Sequence, residues 1–264
     1  RGDAPLVIAF PHGGTDLAGL DEQFVSPWHA QIDTDWWIAE LYAFAADLGA
    51  TLVATDISRS VIDMNRDPSG ASLYPGQATT ELCPTTTFDG EPLYRFDTPD
   101  EAEIMQRLHS YHRPYHDALA QELHRLRAAH GKVVLYDAHS IRSHVPRLFD
   151  GELPHFNIGS NDGLTCDLEL TEMLVDAVFL GDMEGSWTGV VNGRFKGGWT
   201  TRHYGRPDDG IHAIQMELAQ RGYMAEPDAI THANWPSPLD PNPPIRPVLE
   251  QLIAAALDFA KGRS

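Results

Sequence analysis

Two histidines carry the first chemical signal in this chain. His12 lies in Pro11-His12-Gly13-Gly14, after the apolar run Leu6-Val7-Ile8-Ala9-Phe10, and His139 lies in Asp137-Ala138-His139-Ser140, after Lys132-Val133-Val134-Leu135-Tyr136. Short apolar runs that stop at polar or Gly-Pro segments read as buried strands. Each histidine therefore stands at a strand's C-terminal end, the edge of an open α/β sheet where loops converge on ligands. Neutral imidazoles delivered from two loops suit a divalent metal. A catalytic zinc takes three protein ligands and keeps a fourth position for water, so an anionic third ligand is required. Asp16, Asp33 and Asp35 all fall between the first loop and the first predicted helix, and composition does not choose among them.

Other residues offer complementary chemistry. Arg66 presents a planar fork of donors matched to a carboxylate, and Asn65 beside it both donates and accepts; Asp63 is placed to orient Arg59 or Arg66. The segment from Asn192 to Gly205 joins several glycines to Arg194, Lys196 and Arg202, which suits a mobile anion-binding loop. Glu217 is a carboxylate inside the apolar run 211–218, a candidate for proton transfer. His112 and His116, four apart with His109 nearby, form a rival metal pair, but Pro114 stands between them and no HExxH pattern exists, so structural or solvated roles are expected. No GxGxxG after a strand, GxxxxGK[ST] loop or GxSxG elbow is present, which excludes the corresponding nucleotide and serine-hydrolase sites. Cys83 and Cys166 lack CxxC spacing and read as free thiols of a reducing compartment.

Positioning these groups requires an alternation of strands and helices. A helix is predicted over 34–48, a strand over 51–54, and an irregular excursion rich in Pro, Gly and Thr over 68–97. Thr98-Pro99-Asp100-Glu101 is a capping box with proline at the first helical position, and it opens a helical pattern running to Gly131 with Pro114 interrupting it, so two helical pieces or one kinked helix are expected. A helix over 167–179, strands over 187–191 and 211–218, a proline-rich surface tail over 236–247 and a helix over 248–260 follow. The 264 residues, 42% of them hydrophobic, suffice for one α/β domain spanning 1–264. With 38 acidic against 19 basic residues the formal charge is −19, which disfavours nucleic acid and acidic membrane surfaces. No apolar run reaches a membrane span or a signal-peptide core, so a cytoplasmic protein is expected.

Taken together, Pro11-His12-Gly13-Gly14-Thr15, Asp33-Thr34-Asp35-Trp36, Ser58-Arg59 through Asp63-Met64-Asn65-Arg66, Tyr111-His112-Arg113-Pro114-Tyr115-His116, Tyr136-Asp137-Ala138-His139-Ser140, the 192–205 segment and Gln215-Met216-Glu217 resemble the N-formylglutamate amidohydrolase (deformylase) family of histidine breakdown. More distantly the pattern resembles zinc carboxypeptidases and aspartoacylases, although their HxxE is missing because Thr15 stands three after His12. The resemblance implies an α/β fold of the phosphorylase/hydrolase-like kind, a mixed, mostly parallel β-sheet sandwiched by helices. It implies one zinc ion on His12, Asp35 and His139, with Asp16 and Asp33 in reserve, and Glu217 as general base and then acid. Asn65 with Arg66, supported by Arg59, would grip one substrate carboxylate, and Arg194 and Arg202 the other. The implied substrate is the small dicarboxylate N-formyl-L-glutamate, cut to formate and glutamate. Two alternatives are another N-acyl amino acid cut by the same core, and an acidic-metabolite binder without turnover.

Overall fold

The chain's apolar runs assemble a six-stranded sheet in the order β2-β1-β3-β6-β4-β5. In this computed structural model, which describes residues 1–71, 79–180 and 186–263, the strands are β1 Leu6–Phe10, β2 Thr51–Ala54, β3 Val133–Ile141, β4 Phe156–Gly159, β5 Gly189–Val191 and β6 Ile211–Ala219. β2, β1, β3 and β6 pair in parallel, whereas β4 runs antiparallel to β6 and carries β5 parallel to itself. The sheet is thus mixed and mostly parallel, as expected. β1 and β3 are buried at every residue, the signature of strands covered on both faces.

Alternation along the strands then decides which side chains meet. Leu6, Ile8, Val134, Tyr136 and Ala138 enter the core shared with helices α5 (Leu168–Leu180) and α7 (Arg246–Ala260). Val7, Ala9, Val133, Leu135 and Ala213 enter the opposite core, against helix α4 (Arg113–His130). By the two-residue period of a strand, Asp137 and His139 continue the Val133 row, and Gln215 and Glu217 continue the Ala213 row. α7 docks through Val248, Leu249, Leu252, Ile253, Ala256 and Leu257, an apolar stripe at helical spacing.

Of the two forms expected for the helical pattern before Gly131, the continuous one is found. Helix α3 (Glu101–Arg107), capped by Asp100, passes through a π-helical turn at Leu108–His112 directly into α4. The wider turn accommodates Pro114, which lacks an amide hydrogen, without ending the helix. The predicted helix over 34–48 is a correction: only α2 (Ile38–Leu41) and a 3-10 turn at Ala43–Ala46 form. Asp35 is drawn away by its own amide bonding to His12 O and its carboxylate to Ser140 N, and Trp37 adopts φ 61° at the helix start. The strand expected over 187–191 shortens to β5, that over 211–218 extends to Ala219, and α1 (Pro27–Gln31), β4 and α6 (Trp199–Tyr204) were not anticipated. Residues 79–97 follow an irregular path that nonetheless buries Leu82, Phe88, Leu93 and Tyr94. Part of the 68–97 excursion, residues 72–78, lies outside the described residues. Among the described residues no helix is long and apolar enough to cross a membrane.

Candidate active site

His12 leaves β1 in a loop that must double back on residues 56 and 57. Gly14 permits this, since a Cβ there would meet the carbonyl carbon of Asp56 at 2.4 Å. His12 Nε2 then bonds Asp63 Oδ1 at 2.7 Å, which turns Nδ1 toward the end of β3. There, His12 Nδ1 lies 3.1 Å from His139 Nδ1 and 3.7 Å from Asp35 Oδ2, and His139 Nδ1 lies 3.3 Å from the same oxygen. A tetrahedral zinc with ligands about 2.0 to 2.1 Å away has ligand-to-ligand edges of about 3.3 Å, so this buried triangle of two nitrogens and one carboxylate oxygen fits a divalent cation. Of the three candidate carboxylates only Asp35 joins it. Asp33 instead pairs with Arg142 at 3.0 Å and caps Phe88 N, and Asp16 is exposed.

The outer nitrogens of both imidazoles are engaged as metal-binding histidines require. His12 has Asp63, and His139 Nε2 lies 3.0 Å from Asp137 Oδ2, with the Asn65 amide nitrogen 3.1 Å away. Asp137 is wholly buried and makes no aligned hydrogen bond with the described residues, so its hold on His139 is through charge. Burial opposes ionisation throughout the cluster, yet the carboxylates of Asp137 and Asp35 raise His139 well above the usual imidazole range. In the same way burial works against Asp35 and Asp63, but His12 and His139 hold the Asp35 carboxyl down, and Arg66, His12 and Arg59 hold Asp63 down.

Glu217 stands on β6 in register with His139 on β3. It is 6% exposed, and burial, reinforced by the Asp35 charge, pushes its carboxyl up to about 8 against the pull of His139 and Arg59. Its Oε2 accepts from Gln215 Nε2 at 3.2 Å. His12, His139, Gln215 and Glu217 line a cavity of about 320 Å³ together with Arg59, Asn65, Arg66, Thr80, Phe88, Leu148, Arg194 and Phe195, a size suited to a small ligand.

The cations expected to read carboxylates occupy different positions around this cavity. Arg59 ties the site together, donating to Asp35 Oδ1 at 3.3 Å and Asp63 Oδ2 at 3.0 Å while lying over the Phe88 ring. Arg66 is braced by Thr80 O, Thr80 Oγ1 and Asn65 O. Arg194 reaches the cavity with its Nε on Leu148 O. The lining does not include Lys196, which pairs with Asp162 at 3.0 Å, or Arg202, whose Nε donates to Gly197 O. The segment expected as a mobile loop thus contributes one cation to the cavity, because residues 199–204 are wound into α6. Asn65 is held on both ends: Oδ1 accepts from Thr200 N at 2.8 Å while Nδ2 faces His139.

The rival histidines serve as braces. His112 Nε2 and His116 Nε2 donate to the carbonyls of Arg66 and Met64 at 3.1 and 2.8 Å, one on each side of Asn65, and Trp199 packs against both rings. His109 is exposed and turns to Met105 O. Cys83 and Cys166 are buried, and burial pushes both thiols up to about 11, which suits no nucleophile at neutral pH. Sequence reasoning missed Asp137 and Gln215 as site residues, and assigned Asp63 to arginines alone. The available signal was spacing, since 137 and 139, like 215 and 217, must share one face of a strand.

A mixed α/β sheet on which two histidines, one aspartate and a buried glutamate converge defines an α/β protein with a hydrolase-like site whose residues could hold a metal ion. Residues 4–224 match the family described as N-formylglutamate amidohydrolase, and the chain belongs to that family. It is 46% identical over 267 residues to the N-formylglutamate deformylase of Pseudomonas putida, covering 100% of this chain and 96% of that protein. It is 50% identical over 228 residues to the N-formylglutamate deformylase of Pseudomonas aeruginosa, covering 86% and 84%. The crystal structure of N-formylglutamate amidohydrolase from Ralstonia eutropha superposes with a TM-score of 0.78 at 25% identity, covering 99% of this chain and 94% of that one. A structure from Agrobacterium tumefaciens, at 20% identity, shares the fold with a TM-score of 0.64 over 99% and 92%.

Proposed function

We propose that this chain, with residues 1–264 as one catalytic domain, hydrolyses N-formyl-L-glutamate to formate and L-glutamate, a cytoplasmic step of histidine breakdown, with zinc as its metal. The observation that carries this is the ligand triangle of His12, Asp35 and His139 lying one strand away from the buried Glu217. When bound, zinc on these three residues supplies a Lewis acid that polarises the formyl carbonyl and acidifies the attacking water.

The remaining work falls to the chain's own groups. Glu217 takes the proton of the attacking water on its carboxylate and returns it to the amine nitrogen as the C–N bond breaks, so that glutamate leaves neutral at nitrogen and gains its second proton from solvent. A carboxyl raised by burial is matched to both halves of that exchange near neutral pH. Arg66, with Asn65 beside it, binds one substrate carboxylate, and Arg194 binds the other, which holds the amide between two fixed ends. Arg59 keeps Asp35 and Asp63 aligned, and Asp63 and Asp137 fix the rings of His12 and His139. The apolar wall of Phe88, Leu148 and Phe195 covers the substrate's methylene stem and limits water.

The test is formate release from N-formyl-L-glutamate by zinc-loaded and chelator-treated protein. Loaded protein is expected to turn over, chelated protein to lose the activity, and N-formyl-L-methionine to react at least about tenfold more slowly because one carboxylate contact is absent. Full activity after complete metal removal overturns the metal assignment, and equal turnover of N-formyl-L-methionine overturns the dicarboxylate assignment.

A further inference from the structure

We propose that Gln215 is the positioning residue that presents Glu217 to the reacting water. This deepens the hydrolytic reading above and rests on it. Gln215 is 5% exposed, lies two residues before Glu217 on the same face of β6, and lines the same cavity.

Its amide has only one possible sense. The Gly198 N–H, which can only donate, points at Gln215 Oε1 from 2.7 Å. The opposite end of the side chain is therefore the NH2 group, which cannot accept, and it faces Glu217 Oε2 at 3.2 Å. A donor fixed on Oε2 stops the carboxylate from rotating and leaves Oε1 as the oxygen that takes the proton, so the base is oriented before substrate arrives.

The donor is itself anchored by the other half of the site. Gly198 sits so close to Asn65 that a Cβ would meet its side chain at 2.3 Å, and Thr200 N, two residues on, donates to Asn65 Oδ1. One short segment thus grips Asn65, which faces His139, and through Gln215 also grips Glu217. A buried amide is unfavourable unless both its ends are bonded, and Gln215 has both ends bonded here.

The zinc-loaded enzyme is compared with its Gln215→Met, Gln215→Glu and Glu217→Gln variants for kcat, KM, zinc content and calorimetric affinity for L-glutamate. Gln215→Met keeps the volume and removes both bonds. Gln215→Glu keeps an acceptor for Gly198 N–H but puts a carboxyl beside Glu217, which either repels it or shares its proton. Both are expected to lower kcat on the order of 10- to 100-fold, as for a lost bond to a charged group, while KM and glutamate affinity stay within about threefold and zinc content is unchanged. Wild-type kcat in Gln215→Met overturns the inference. So does a Gln215→Glu enzyme with wild-type kcat beside an impaired Gln215→Met, since Gln215 would then serve only to hold Gly198. A raised KM with kcat intact also overturns it, by making Gln215 a substrate contact. Wild-type kcat in Glu217→Gln is a different failure, of the general-base reading itself. If Gln215→Met does not accumulate folded, Gln215→Glu decides alone through the kcat and KM split.

Discussion

Asp63 is wholly buried and divides its two carboxylate oxygens between Arg59 and His12. Beside Arg59 and Arg66 it reads as an arginine partner, and Oδ2 does bind Arg59. Its other oxygen binds His12 Nε2, with Asn65 N on the same atom, so one carboxylate serves an imidazole of the proposed metal triangle, a cation and the Asn65 backbone. No spacing rule links position 63 to position 12, which is why that role was not legible. His12 and His139 were legible because each ends an apolar run, whereas Asp35 stood out from Asp16 and Asp33 only through family resemblance. Asp63→Asn keeps the shape but no longer compels His12 to present Nδ1. It is expected to weaken zinc about 10- to 100-fold, measured by competition with a chromophoric chelator; an unchanged affinity would remove Asp63 from the metal site.

At the scale of elements, the π turn at Leu108–His112 matters because it sets His112 and His116 against the Met64 to Arg66 carbonyls. Burial, added to by the neighbouring His112, pushes the His116 imidazole down from 6.5 to about 3. The unfolded chain therefore binds a proton between those values that the folded chain refuses. Stability from this group is complete above the unfolded pKa and is lost as pH falls below it, at up to about 1.4 kcal/mol per pH unit. His116→Phe, which keeps a ring but cannot titrate, is expected to be less stable at pH 7 yet to show a shallower decline between pH 6 and 4 in denaturant melts. Equal slopes for both proteins would contradict this. Long apolar strands could be read from sequence, but the capping box read from Thr98 lies two residues early, because Asp100 takes the Glu103 amide and caps the helix; α6 was hidden behind Gly197 and Gly198 at its own start, and β4 is too short to declare itself with Asn157 inside it.

Across the whole molecule, the proposed ligand triangle joins segments that are far apart in the chain: residue 12 after β1, residue 35 before α2 and residue 139 within β3, two residues short of its end. A cation that binds only when these are assembled stabilises the native state by mass action, about 2.7 kcal/mol at 100 times its Kd. For a chain of this size that corresponds to roughly 5 to 10 °C in Tm. Scanning calorimetry with and without chelator is expected to show this difference in the wild type and none in Asp35→Ala; an identical shift in Asp35→Ala would relocate the metal. Against the formal charge of −19, Arg59, Arg66 and Arg194 gather in the lining of one cavity, where Asp67, Glu81 and Glu217 also stand, so cations offset acidic groups there more evenly than over the chain as a whole.

The in-register pairing of His139 with Glu217 has a consequence for what can vary. Neighbouring strands lie about 4.8 Å apart wherever backbone hydrogen bonds join them, so the gap between His139 and Glu217 is gauged by the peptide ladder and not by any loop. Residues around the rim, such as Arg194 or Phe88, can be exchanged to admit a different acyl amino acid while that gauge holds. A shift of β6 by a single residue, in contrast, would turn Glu217 and Gln215 together to the far side of the sheet, away from His139.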